Sequence, residues 1–123
     1  MVTREQILQM QALVRRVPVA RHVQDYAIRV LLATHPTGEE APDLVKRFVR
    51  TGASPRGAQA MLLGAKVRAL FDGRFAASID DVKATALMAL RHRVLLSFEG
   101  EAEGVAEDQV IGEILKKLPG SKE

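Results

Sequence analysis

The stretch from residue 54 to residue 72, "SPRGAQAMLLGAKVRALFD", limits what this chain can become. Ser54 and Pro55 read as a helix cap and first helical residue, serine accepting a free N–H and proline lacking one that would be orphaned. Beyond them, Ala58, Met61, Leu62, Leu63, Ala65, Val67, Ala69, Leu70 and Phe71 place apolar groups on nearly every side of the helix. A helix with no polar face cannot lie on the outside of a domain, so it must sit in the middle of a bundle.

The flanking segments supply its neighbours. Residues 3–14 read as a helix capped by Thr3, with Ile7, Met10 and Val14 in one stripe. Residues 19–34 form a second, whose Val23, Tyr26, Ala27, Val30 and Leu31 follow the 3.6-residue period. "HPTGEEAPD" ends it as a loop, and "LVKRFV" predicts a turn or two of helix stopped by Gly52. Ser78-Ile79-Asp80-Asp81 is a capping-box pattern that opens a helix over residues 79–91, buried through Val82, Ala86 and Leu90. "EGEAEG" reads as a turn before a last helix over 106–118, with Val110, Ile111, Ile114, Leu115 and Leu118 along one face. Residues 119–123 are a polar tail. The fold class is all-α, a compact helical bundle. "RVLLSF" and "RRVPV" are the two short extended candidates, able to pair as a minor two-stranded β ribbon.

Composition removes several functions. With no cysteine among 123 residues, disulfides, thiolate metal sites and thiol nucleophiles are excluded, which suits a cytoplasmic protein. The net charge of +3 is small because 18 Lys and Arg are interleaved with 15 Asp and Glu. Four Phe and one Tyr are too few for a base-stacking platform, which argues against nucleic acid as a partner. No apolar run approaches the roughly 18 residues of a membrane span.

Most apparent chemistry has an ordinary explanation. His22, His35 and His92 lack the i, i+4 spacing of paired metal ligands, so no metal site is expected. Gly64-Ala65-Lys66 is a fragment of a phosphate-binding loop stranded in mid-helix. Arg91-His92-Arg93 sits where the carboxyl-terminal dipole of a helix favours cations. Arg56 is harder to place: it puts a cation in the first turn of the central helix, where the dipole disfavours one. It is either an ordinary surface arginine bending away to a partner, or it and the helix end share an anion. A guanidinium there is a planar, permanently charged fork suited to phosphate oxygens.

On "GASPRGAQAMLLGAKVRALFDGRF", "SIDDVKATALMALRHRVLLSFEGEAEGV" and "DQVIGEIL", the chain resembles the carboxyl-terminal lid of the MoxR ATPases, a branch of the AAA+ superfamily. "ILQMQALVRRVPVARHVQDYAIRVLLATHP" is similar to the segment joining that lid to its nucleotide-binding core, which makes residues 3–34 the joining helices and 54–72 the sensor-2 helix. Two positions depart from the pattern. His35 stands where an arginine is common, and Ala106 where a hydroxyl-bearing cap is usual, which predicts fraying of the last helix.

The resemblance implies that Arg56 is the sensor-2 residue touching the γ-phosphate of ATP, with Ser54, Pro55 and Gly57 shaping the helix start beside the nucleotide. It implies ATP and Mg²⁺ held mainly by a core domain of the same polypeptide, whose phosphate-binding loop is not in these residues. The chain then reads as an excised piece with no ATP hydrolysis and no cofactor of its own. The implied partners are that core, neighbouring subunits of a hexamer, von Willebrand factor A proteins and client complexes that the ATPase remodels as a chaperone. Two readings outside the resemblance are a stand-alone basic module binding nucleic acid or an acidic protein, and an oligomerisation domain without nucleotide contact.

Overall fold

The computed structural model describes residues 1–118; the expected polar tail at 119–123 lies outside the described residues. In chain order the elements are α1 (Arg4–Arg15), α2 (Arg21–Ala33), α3 (Asp43–Phe48), β1 (Val49–Thr51), α4 (Pro55–Phe71), α5 (Ile79–Leu90), β2 (Leu95–Leu96), α6 (Phe98–Ala102) and α7 (Glu107–Lys117). The all-α expectation holds, and α4 is the central rod, packed against α5, α2 and α1.

The inward face of α4 is made of small residues around one large one. Gly57, Ala58, Ala65 and Ala69 are buried, and Met61 is fully enclosed. Small side chains let neighbouring backbones come close, and Thr85 of α5 uses that proximity. Its hydroxyl lies 3.1 Å from the Met61 carbonyl on α4 and also contacts carbonyls of its own helix. Around Met61 the core is completed by Val30 of α2, Leu90 of α5 and Ile111 and Ile114 of α7, each with no exposed surface. Complete burial of side chains this size contributes about 1.5–3 kcal/mol apiece. Tyr26 closes the base of the bundle. Its hydroxyl donates to the Leu118 carbonyl, tying α2 to the end of α7, and burial raises its pKa above the usual value.

Two expectations about burial need correction. α4 is not covered on every side, for Leu63 and Phe71 stay exposed. The stripe on α1 is present but open: Ile7 and Met10 are about half exposed, Val14 is half-buried, and no residue of α1 is fully buried. The α1 cap itself forms as expected, Thr3 and Gln6 exchanging side-chain and backbone bonds.

The ribbon exists with a different partner. β2 comes from "RVLLSF", but it pairs antiparallel with β1, joining Val49 to Leu96 and Thr51 to Leu95. "RRVPV" makes only an isolated parallel bridge between Val19 and Ala77. Pro18 has no N–H to give a ladder, and offers only its carbonyl to the Ala77 N–H at 3.2 Å. "EGEAEG" is likewise more than a turn, because Ser97 caps the short α6 by accepting the Gly100 N–H at 3.0 Å. α7 starts at Glu107 without a hydroxyl cap. The Gln109 side chain instead accepts the Ala106 N–H at 2.9 Å, and Glu107 and Asp108 complement the dipole.

The capping box of α5 forms as expected and does a second job. The Asp81 carboxylate accepts from the Ser78 backbone at 2.8 Å and receives both terminal nitrogens of Arg74 at 2.7 and 2.8 Å, with Arg68 3.4 Å away. Buried at 1% exposure, it ties the α4–α5 turn to both helices. The Arg74 guanidinium holds the Asp81 carboxyl far below its usual range, outweighing burial, which acts the other way. A depressed folded pKa means this contribution is complete at neutral pH and is lost as pH falls below about 4, the unfolded value. Asp81→Asn should lower unfolding free energy by about 2–3 kcal/mol, the lower end for a broken buried pair because both arginines are partly exposed. Urea midpoints between pH 7 and 2.5 check this: the parent's should fall more steeply below pH 4 than the variant's.

Candidate functional site

The candidate site is the head of α4, reached from β1 through Gly52 and Ala53. Pro55 occupies the first helical turn as its φ preference requires. Ser54 is the cap residue by position, with extended backbone, but its side chain makes no cap bond, contrary to expectation. The start is tied instead through the backbone, the Gly57 N–H donating to the Ser54 carbonyl at 2.8 Å. That carbonyl–amide closure and the fixed φ of Pro55 leave the hydroxyl free. Ser54, Pro55 and Arg56 are exposed, and Gly57 is buried.

Burial of Gly57 orients the other three. A Cβ there would come within 2.8 Å of Leu90 Cδ2 and 3.1 Å of Leu31 Cδ1, so the helix start rests directly on α5 and α2. The next residue back along the helix, Arg56, is thereby turned to solvent. Among the described residues no carboxylate pairs with Arg56, although Arg29, Arg68, Arg74 and Arg91 all have such partners. The dipole, an exposed hydroxyl and an uncompensated guanidinium therefore share one surface.

What precedes the helix is held from outside. Thr34, the C-cap of α2, is fully buried; its hydroxyl donates to the Leu31 carbonyl at 2.6 Å and accepts the Ala53 N–H at 2.9 Å. His35 Nε2 lies 2.8 Å from the Ala53 carbonyl, and because a carbonyl can only accept, Nε2 carries a proton. Gly52 lies flat against both: a Cβ on it would stand 2.7 Å from the Thr34 carbonyl oxygen and from His35 Cγ. In the sequence His35 stands out as a departure from the family pattern and as a discounted metal ligand, and Thr34 only as part of a helix end. Their meeting with Ala53 spans 18 and 19 residues and leaves no local signal.

The other sequence candidates resolve plainly. Arg91 makes a two-pronged pair with Asp108 at 2.9 and 3.1 Å, linking the end of α5 to the start of α7. Arg93 donates to the Ala89 carbonyl at 3.0 Å, as a cation at a helix carboxyl end should, and His92 is exposed. Among the described residues there is no cluster of three potential metal ligands, and no helix is long and apolar enough to cross a membrane.

A family model for the AAA lid domain matches residues 42–114, which contain the whole α4 head. The chain belongs to the AAA lid domain family. It is a carboxyl-terminal lid of the MoxR type of AAA+ ATPase. The lid is 30% identical over 112 residues to Chaperone MoxR1 of Mycobacterium tuberculosis (strain ATCC 25618 / H37Rv), a match that covers 91% of the lid and 30% of that protein. It is 26% identical over 119 residues to YeaC of Bacillus subtilis (strain 168), an uncharacterised protein, covering 95% of the lid and 34% of YeaC. The crystal structure of a candidate ATPase from Cytophaga hutchinsonii ATCC 33406 superposes with a TM-score of 0.91 at 30% identity, over 98% of the lid and 37% of that chain. The lid thus spans about a third of the length of the relatives it matches.

The Gly52 contact gives a direct test of the packing. Gly52→Ala should cost about 1–3 kcal/mol, since its Cβ meets backbone that cannot move away cheaply. Gly112→Ala, in mid-α7 with open space around it, should instead gain up to about 1 kcal/mol. Urea denaturation of the two variants beside the parent checks the opposite signs.

Proposed function

We propose that this lid closes over ATP bound to a separate core domain of the same polypeptide, and that Arg56 is its sensor-2 residue, contacting the γ-phosphate. The observation that carries the reading is the state of Arg56. It is exposed on the first turn of a rigid helix, beside that helix's positive end, with no carboxylate partner among the described residues. An uncompensated cation at that place fits an incoming polyphosphate better than it fits any role in holding the lid together. The match to the lid family, over residues 42–114, supports the same assignment.

The residues present fit a contributing role toward ATP. Arg56 supplies two parallel donors, the Ser54 hydroxyl is free to donate, and Gly57 keeps the helix start close to the bundle. Mg²⁺ and most of the triphosphate would be held by the core, which would also supply the attack on the γ-phosphate. Residues 3–34 act in this reading as the joining segment, and residues 1–118 form one lid domain. In the assembled ATPase, closing the lid would convert nucleotide state into movement between subunits of a hexameric ring. That movement would drive chaperone-like remodelling of client complexes in the cytoplasm, alongside von Willebrand factor A proteins. A stand-alone basic module has less in its favour, because the chain's 18 Lys and Arg are offset by 15 Asp and Glu and it carries only five aromatic residues.

Removing one charge-assisted contact costs about 1.5–3 kcal/mol, so Arg56→Ala in the complete ATPase should lower kcat/KM for ATP by about 10- to 150-fold. The isolated lid carrying Arg56→Ala should keep its parental unfolding free energy, read from urea denaturation, to within about 0.5 kcal/mol, as a surface change. Unaltered turnover and ATP affinity would refute the assignment.

A further inference from the structure

We infer that Thr34 and His35 are positioning residues for Arg56: by holding both backbone polar groups of Ala53, they set the direction in which the chain runs into α4. The inference rests on the sensor-2 reading of Arg56 and adds to it the device that aims the side chain.

Most helix starts are fixed locally by a cap residue that accepts an N–H one turn on. Here that device is idle, since the Ser54 hydroxyl makes no such bond. The Ser54 carbonyl closes the first turn, and the residue entering it, Ala53, is held from the end of a different helix. Ala53 is fully buried, so its N–H and carbonyl both need partners. Backbone could supply them, yet both come from side chains at the end of α2: Thr34 Oγ1 for the N–H at 2.9 Å, His35 Nε2 for the carbonyl at 2.8 Å. The two residues are adjacent, so they grip the Ala53 peptide groups from one anchored turn. That turn is itself fastened by the Thr34 and His35 N–H groups bonding to Leu31 and Leu32 carbonyls at 3.1 Å.

Gly52 presses the preceding peptide onto the same two residues, so closely that a Cβ on it would fall only 2.7 Å from His35 Cγ. Gly57 presses the following turn onto Leu31 of α2. From residue 52 to residue 57 the path therefore touches α2 at three points, and Arg56 lies inside that span. The guanidinium is reached from Ala53 through three residues of fixed backbone, so a small rotation at Ala53 becomes a larger displacement at the phosphate. Displacements of about 1 Å can cost a reaction about 100-fold. The exposed Ser54, Pro55 and Arg56 could not hold that geometry unaided.

Two conservative variants separate the hydrogen bond from simple bulk. In His35→Gln the side-chain amide nitrogen can still reach the Ala53 carbonyl, whereas His35→Ala loses the donor. Thr34→Ser keeps the hydroxyl and Thr34→Val removes it at constant shape. The first measurement is ¹⁵N relaxation on the 123-residue chain. His35→Ala should lower the backbone amide order parameters of Gly52, Ala53, Ser54, Arg56 and Gly57 from about 0.85 toward about 0.6, with α5 and α7 unchanged, while His35→Gln restores them. Thr34→Val should speed exchange of the Ala53 amide about tenfold, and Thr34→Ser should not.

The second measurement is steady-state kinetics of the complete ATPase. His35→Ala should reduce kcat/KM for ATP about fivefold, and should add nothing in an Arg56→Ala background, because it acts through that arginine. Undiminished order at residues 52–57 in His35→Ala overturns the inference. So does a kinetic loss that persists in full when Arg56 is already absent. A silent Arg56→Ala instead removes the sensor-2 reading and the nucleotide role of the clamp with it, while the relaxation data still report whether Thr34 and His35 fix the chain.

Discussion

Close approach of α4 to its neighbours is the constraint from which the remaining arrangement follows. Gly57, Ala58, Ala65 and Ala69 leave little between the α4 backbone and the helices around it, and Met61 fills the one volume that opens. At Gly64 even a Cβ would stand 2.9 Å from Thr85 Cγ2, so a side chain there would push α5 outward and strain the bond from the Thr85 hydroxyl to the Met61 carbonyl. A side chain at Gly57 would lift the helix start off Leu31 and Leu90. The orientation of Arg56 is then a consequence of core packing. The core decides which side of the first turn faces water.

Each end of α4 is secured by a buried polar group, and the two do different work. At the carboxyl end, Asp81 draws Arg74 and Arg68 into one cluster with the Ser78 cap. Charge meets charge there and nothing is left over for a ligand. At the amino end, Thr34 and His35 satisfy only neutral backbone groups. Among the described residues no carboxylate pairs with Arg56, so it and the positive helix end retain their attraction for an anion. The contrast separates arginines that hold the bundle together from one that the described residues leave without a carboxylate at a helix start. Both kinds sit on α4 or just beyond it, and residue type alone does not distinguish them.

Much of the bundle was legible in the sequence because helices announce themselves locally. The capping pairs Thr3–Gln6 and Ser78–Asp81 and the apolar stripes of α2 and α7 are all written within a few residues of where they act. The helix expected to run to Gly52 instead ends at Phe48, where the chain turns extended into β1. The failures share a cause. The partner of β2 is decided by where α3 delivers Val49, which no feature of "RRVPV" reveals. The openness of Leu63 and of the α1 stripe depends on what the rest of the bundle fails to cover, although their periodicity looks like that of buried faces. Ser54 has the right residue type for a cap, but its turn is closed by its own carbonyl. Arg56 could be chosen from position and dipole, whereas the Thr34–His35 grip on Ala53 needed coordinates.

An arginine on a loose loop would have to be ordered before it could hold an anion, at roughly 1–2 kcal/mol per residue fixed. Mounted on the first turn of a helix seated in the core, Arg56 has only its own side-chain freedom to lose. The same rigidity determines what the lid can transmit. Its path from α2 through Ala53 to α4 is hydrogen-bonded and closely packed, so a force applied at the α4 head would carry α2 with it. α1 differs, having no fully buried residue and contacting mainly α4. Motion between α1 and the remaining bundle therefore costs less apolar burial than motion of α2, α4, α5 or α7 against one another. If the lid swings as nucleotide comes and goes, the soft joint lies between α1 and the turn before α2, and Arg56 moves with the rigid part.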